Sequence, residues 1–194
     1  MRVILQRHAP TQGNLLGQYI GHTDEALAPE GIELAHKTGQ DTRVAVVHTS
    51  ALQRTTQTAA ILYPQAVIYS HPELNEMHFG AFEGKRWQDM EGDAAYAAWV
   101  ALECVAPCPG GESREAFTQR CCRAFAGIVA DARNKGQNSL HFVVHGGIIR
   151  AILHQFVVPQ GGFFDWNVGY CERFVMESLA FEMQFTLAGH HPAS

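Results

Sequence analysis

Short apolar runs alternate with longer stretches of helical periodicity along most of this 194-residue chain. Strand-like runs fall at 2–6, 44–48, 66–69, 140–144, 172–176 and 181–187, and helix-like stretches at 30–40, 52–62, 93–103, 113–133 and 148–157. In the last of these, Ile148, Ile149, Ile152, Leu153 and Phe156 recur at helical spacing and form a stripe suited to packing on a sheet. Such alternation predicts an α/β fold with a mainly parallel sheet and helices on its faces. The two closing strand candidates have no helix between them, so one is expected to be an antiparallel edge. Pro29 suits the first turn of its helix, although Ala28 before it is a poor N-cap. The Pro-Cys-Pro-Gly-Gly break at 107–111 precedes a helix whose cap is Glu112 or Ser113. Residues 71–112 are turn-rich and lie between the two main βα blocks. They read as an excursion over the end of the sheet, within a single domain spanning 1–194.

Composition narrows the partners. The chain is long enough for one domain with a sizeable core. A net charge of −5 points away from nucleic acid and from anionic membrane surfaces. A bound phosphate must therefore be held by a local cluster of the 14 lysines and arginines. No run approaches the ~18 apolar residues of a membrane span. Only Val3, Ile4 and Leu5 precede Gln6-Arg7-His8, too little for a signal peptide, so the expected location is cytoplasmic. Five cysteines, an odd number, read as reduced thiols. Cys104 and Cys108 lack a second pair at zinc-binding distance, and the eleven histidines are scattered with no His-Glu-x-x-His helix, so no metal site is expected.

The chemistry sits where strands stop. Arg7-His8 ends the first apolar run, at the kind of sheet edge where open α/β folds build their sites. A neutral imidazole can attack phosphorus and hold the phosphoryl group covalently, which makes His8 a candidate nucleophile. Arg7 and Arg54 can each offer forked N–H donors to phosphate. Arg54 falls in the first turn of a helix that follows a strand, where helix N-terminal charge also favours an anion. His145 ends another strand and precedes Gly146-Gly147, which lets the backbone turn tightly and approach a ligand. Each residue alone reads as an ordinary surface or capping side chain. Their joint placement after strands points instead to one anion site. Glu76 is the candidate general acid, since an alkoxide leaves a phosphate reluctantly without a proton. A carboxyl beside phosphate keeps its proton longer because of the like charge. Glu73 and Glu83 are its nearby competitors.

These segments together resemble the histidine phosphatase superfamily, the phosphoglycerate-mutase-like group, from Met1 to about Arg150. The Arg-His-Gly box stands as Arg7-His8-Ala9, followed by Pro10-Thr11-Gln12-Gly13-Asn14. The second arginine box is Ser50-Ala51-Leu52-Gln53-Arg54-Thr55-Thr56-Gln57-Thr58-Ala59, the acid box runs from Leu74 through Glu76 to Gly84, and the last box is His145-Gly146-Gly147-Ile148-Ile149-Arg150. The resemblance implies a three-layer α/β/α sandwich and no metal or cofactor. It also implies His8 as the phosphorylated nucleophile and Glu76 as the proton donor. Arg7, Arg54 and His145 would form the phosphate pocket, with Asn14 as a further contact. Ala9 in place of the usual Gly is tolerable if φ there stays negative. Pro10 replaces a commoner acidic residue at the rim, and Ala28 a Thr.

Within the superfamily, the Pro72 to Gly80 segment looks most like the α-ribazole phosphatases of the cobalamin pathway. The expected activity is metal-independent hydrolysis of a small phosphate ester such as α-ribazole phosphate. A mutase-type phosphotransferase and a catalytically silent phospholigand-binding module stand as alternatives. Phe79, Phe82, Trp87, Tyr96 and Trp99 either line a pocket for a ring-bearing leaving group or pack the excursion's own small core. Phe163, Phe164 and Trp166 are either core or the patch of a homodimer.

Overall fold

Six strands and six helices follow one another in the computed structural model, which describes residues 1–178 and 183–193. The strands are β1 (Arg2–Arg7), β2 (Val46–Ser50), β3 (Val67–His71), β4 (Ser139–Val144), β5 (Arg173–Ser178) and β6 (Phe185–His191). The helices are α1 (Gln12–Leu15), α2 (Pro29–Thr38), α3 (Gln53–Leu62), α4 (Ala94–Ala101), α5 (Arg114–Asn134) and α6 (Gly146–Phe156). All strands join one sheet in the order β3-β2-β4-β1-β5-β6. The β3-β2-β4-β1 part is parallel throughout.

The expected antiparallel strand exists, but it is not the edge. β5 runs antiparallel to β1 on one side and to β6 on the other, so the outer strand β6 points the same way as the parallel group. A hairpin added to the free side of β1 must place its first strand inside. The predicted strand at 181–187 begins later, at Phe185, and its first two positions lie outside the described residues.

β1 reads as an unbroken apolar run because both faces of the central sheet are covered. Val3 and Leu5 point into the larger core with Leu140, Phe142, Val144, Phe174 and Met176, under α5 and α6. Val143 and Val47 point the other way, toward Ala35, Ala59 and Leu62 of α2 and α3. The result is the three-layer α/β/α arrangement. Ser113 caps α5 by accepting from the Ala116 amide, at 3.1 Å. Ala28 makes no side-chain cap, but its amide donates to the Pro10 carbonyl and ties α2 to the turn after β1.

Phe125 of α5 is fully buried, with ring centroids 5.4, 5.3 and 6.1 Å from those of Phe142, Phe156 and Phe185. Phe125→Ala is expected to cost about 3–5 kcal/mol through lost burial and a cavity. Urea unfolding would measure this as a lower midpoint. A loss below about 1 kcal/mol would mean the layer closes over the gap.

Candidate active site

The C-terminal ends of β1, β2 and β4 deliver three of the candidate residues to one place. His8 follows β1, and its amide donates to Val144 O at 2.9 Å, which registers it beside the end of β4. Arg54 is the second residue of α3, and His145 is the N-cap of α6. The His8 and His145 rings lie 5.0 Å apart, centroid to centroid. Glu76 follows a short 3₁₀ turn (Pro72–Leu74), which Arg120 pins through the Glu73 and Asn75 carbonyls, at 2.7 and 3.1 Å.

His8 is held as a neutral imidazole of one tautomer. Its Nδ1 lies 2.7 Å from Ala9 O, and a carbonyl can only accept, so Nδ1 carries the hydrogen. The lone pair therefore sits on Nε2, where a nucleophile needs it. Burial, reinforced by the Arg54 and Arg7 charges, holds the His8 pKa well below the ordinary histidine value.

Arg54 is completely buried. Its Nη1 donates to Thr23 O at 2.9 Å, its Nη2 to Gly21 O at 2.7 Å, and its Nε to His145 Nδ1 at 3.2 Å. A guanidinium can only donate, so His145 bears its hydrogen on Nε2 and gives it to Ser50 Oγ at 2.8 Å. Ser50 Oγ in turn pairs with Thr55 Oγ1 at 2.8 Å, and Thr55 donates to Leu52 O. Burial, then the Arg54 charge, keeps His145 neutral as well. Both its ring nitrogens are thus engaged by protein groups.

Glu76 caps α6 from outside the helix. His145 offers no side-chain cap. Glu76 Oε2 accepts from the Gly147 amide at 2.9 Å, and Oε1 from the Met77 amide at 3.0 Å. A carboxylate is favoured at a helix N-terminus. A Cβ at position 147 would overlap Glu76 Oε1, so only glycine allows this approach. Glu76, Arg7 and Asn14 line a cleft of about 380 Å³, whereas His8, Arg54 and His145 are buried and do not line it. Arg7 stacks its guanidinium 3.7 Å from the centroid of the Tyr170 ring and donates to Val168 O at 2.6 Å. Asn14 Oδ1 accepts from the Thr11 amide at 3.2 Å, and its side-chain amide nitrogen has no partner among the described residues.

The family profile of the histidine phosphatase superfamily (branch 1) matches residues 3–186, almost the whole chain. The chain belongs to this superfamily. The adenosylcobalamin/alpha-ribazole phosphatase of Salmonella typhimurium is 34% identical over 176 residues, covering 87% of this chain and 86% of its own. A metal-independent phosphoserine phosphatase of Arabidopsis thaliana is 27% identical, covering 77% of this chain and 66% of its own. Among solved structures, the alpha-ribazole phosphatase of Shigella flexneri superposes with a TM-score of 0.86 at 26% identity, covering 100% of this chain and 98% of its own. The protein is a phosphatase.

For this histidine phosphatase the Ala9 departure is harmless. Ala9 is not among the residues at positive φ, and it is buried with its amide donating to Thr58 Oγ1 at 3.0 Å. Glu83 proves to organise the loop that receives Arg54. It accepts from the amides of Gly21, His22, Thr23 and Phe79 at 2.9–3.2 Å, and from Thr23 Oγ1 at 2.7 Å. Both readings of the aromatic set hold in part. Phe82 and Trp99 are buried and meet Tyr96 edge-on or tilted, so they do pack a small core. Phe79 and Trp99 also line the cleft, and Trp87 points to solvent. Phe163 and Phe164 line the cleft too.

Sequence reasoning missed Tyr170, Thr58, Arg114 and Arg150. Arg114 and Arg150 line the cleft, and Arg150 donates through Nε to Trp166 O at 3.1 Å. Arg150 stood in the last box as a signal, one helical turn after Gly147. Thr58 likewise stood within the second arginine box, whereas Tyr170 and Arg114 follow no local pattern.

Two outcomes follow from this geometry. Gly147→Ala displaces the Glu76 carboxylate and should lower kcat by about 10²-fold, as misplacements of about 1 Å do, with the fold intact by circular dichroism. Unchanged kcat would place Glu76 outside the chemistry. His8 and His145 stay neutral in the folded protein but take up protons near the ordinary value of about 6.5 once unfolded. The unfolded state then binds more protons below that pH, so stability is complete above about 6.5 and drains away as pH falls. His48, depressed to about 4 by burial and the neighbouring His71, adds to the same slope. The melting temperature should fall steadily from pH 7 to pH 5, and a flat profile would contradict the neutral assignment.

Proposed function

We propose that this phosphatase hydrolyses its substrate through a phosphorylated His8. The buried His8 ring, with its hydrogen committed to Ala9 O, is the observation that carries the reading. Nε2 attacks phosphorus as the P–O bond to the leaving group breaks, and Glu76 supplies the proton to the departing oxygen. Water then attacks the phosphohistidine, Glu76 takes its proton back, and the P–N bond breaks to release inorganic phosphate. Arg7, Arg54, His145 and Asn14 hold the phosphoryl oxygens. For His145 this means that its Nε2–H exchanges Ser50 Oγ for a phosphate oxygen. Catalysis is then mostly positioning and charge stabilisation, as phosphoryl transfer requires. No metal or cofactor enters these steps.

The substrate we assign is α-ribazole phosphate. The support is the likeness to the Salmonella enzyme and the cleft walls, where Tyr19, Phe79, Trp99, Phe163 and Phe164 offer ring surface to an aromatic leaving group. Residues 71–112 supply one wall of this cleft within the single domain. The five free cysteines fit a reducing, cytoplasmic compartment.

Phosphate release from α-ribazole phosphate, phosphoserine, 3-phosphoglycerate and a nitrophenyl ester, with EDTA present, tests the assignment. His8→Ala should abolish turnover of every ester, and α-ribazole phosphate should show the highest kcat/KM. Activity surviving in the variant refutes the phosphohistidine route, while a better ester refutes only the substrate. Glu76→Gln should lower kcat by about 10²–10⁴-fold on an alkyl ester. The loss should be far smaller on the nitrophenyl ester, whose leaving group departs without a proton. Equal losses on both would remove Glu76 from the role of acid.

A further inference from the structure

The end of the sheet remote from His8 frames a second cleft, of about 530 Å³. Alternation decides what faces it. Val3, Leu5, Leu140, Phe142, Phe174 and Met176 point to the α5/α6 side, so Arg2, Ile4, His141, Arg173 and Val175 point to the other. Beside α2 and α3 that face is partly open. Ile4 and Val175 are buried, His141 and Arg173 half-buried, and Arg2 exposed. Polar and cationic residues thus occupy sheet positions that a covering helix would require to be apolar.

Charge and hydrogen bonding in this cleft do not balance. Arg2, Arg43 and Arg173 line it against a single carboxylate, Asp41. Asp41 is already committed, because Arg43 Nε and Nη2 each donate to it at 2.9 Å. Arg173 Nε and His141 Nδ1 are buried and have no hydrogen-bond partner among the described residues. Buried polar atoms are rarely left so, and each costs about 1–3 kcal/mol when unpaired. Burial keeps His141 neutral, leaving one ring nitrogen to donate and the other to accept. In a chain of net charge −5, the described lining thus holds three arginines against one carboxylate, an excess of two cations.

We propose that this cleft is a second, non-catalytic binding site for a small tetrahedral oxyanion, either free phosphate or the phosphate of a metabolite. Arg173 and Arg2 supply forked donors, and the neutral His141 a single one. The site is separate from the catalytic one. From Arg2 to Arg7 the strand rises about 16 Å, and the two sites open at opposite ends of it.

Amide and imidazole NMR of the ¹⁵N-labelled protein tests this by titration with inorganic phosphate, ionic strength being held constant with sodium chloride. Saturable shifts are expected at the Ala45 and Ser139 amides and the His141 ring, with a separate set at Gly146 and Gly147 from the catalytic end. Arg173→Leu and, separately, Arg2→Gln should weaken the first set at least tenfold. The second set and kcat on a nitrophenyl ester should stay unchanged. Arg2 is exposed, so its variant decides the matter if Arg173→Leu does not fold. Methylphosphonate, a stable stand-in for an esterified phosphate, separates the sources: tighter binding than phosphate points to a metabolite, weaker binding to the free ion. Shifts confined to Gly146 and Gly147, or shifts at Ala45 and Ser139 that neither variant weakens, would overturn the proposal.

Discussion

Arg54 carries a full positive charge out of contact with solvent, and the catalytic end of the molecule is arranged around satisfying it. A buried charge left unpaired costs several kcal/mol, so its donors must all be met. Among the described residues no carboxylate bonds to it directly. Its donors end on the carbonyls of Gly21 and Thr23 and on a ring nitrogen of His145. The opposite charge is applied one step away. Glu83 takes the amides of Gly21, His22 and Thr23, so the peptide units of this loop lie between the carboxylate and the guanidinium. Burial opposes the Glu83 charge, yet the hydrogen bonds from the Thr23 hydroxyl and the Phe79, His22 and Gly21 amides hold its carboxyl below the usual carboxylate range.

The same arrangement sets the chemistry of both histidines. Arg54 assigns the tautomer of His145, and the Ser50–Thr55 pair receives the remaining hydrogen. Arg54 and Arg7 also press on the buried His8 and keep it unprotonated. The cations proposed to receive a phosphate dianion therefore also help keep the proposed nucleophile neutral. Thr58 joins the two halves mechanically. It accepts from the Ala9 amide and donates to Arg54 O at 2.6 Å, so the turn after β1 is tied to the first turn of α3.

Around this rigid floor the walls are built differently. The aromatic cluster of residues 79–99 packs its own small core and presents Phe79 and Trp99 to the cleft. Glu76 reaches the floor from the same stretch because Gly147 leaves room for it and the α6 N-terminus holds it. Polar precision is concentrated at strand ends, and apolar bulk in the segment between the two βα blocks. The proposed phosphoryl site thus sits beneath an apolar wall contributed by a separate stretch of the chain.

The sequence by itself determined the elements and the identity of the chemical groups. Short apolar runs and stripes of period 3.6 are local, so β1 to β5 and the longer helices appeared at nearly their observed positions, while β6 starts four residues later than expected. The Arg7-His8, Arg54, Glu76 and His145 boxes were legible because each follows a strand or turn that the same patterns mark. Only the tertiary structure decided the rest. The interior place of β5, Glu83 as anchor of a loop 60 residues away, and the stacking of Tyr170 on Arg7 all depend on long-range contacts. So does the excess of arginine at the far end of the sheet. Such contacts are set by register and burial across the sheet, and no local period in the chain records which strands will be neighbours.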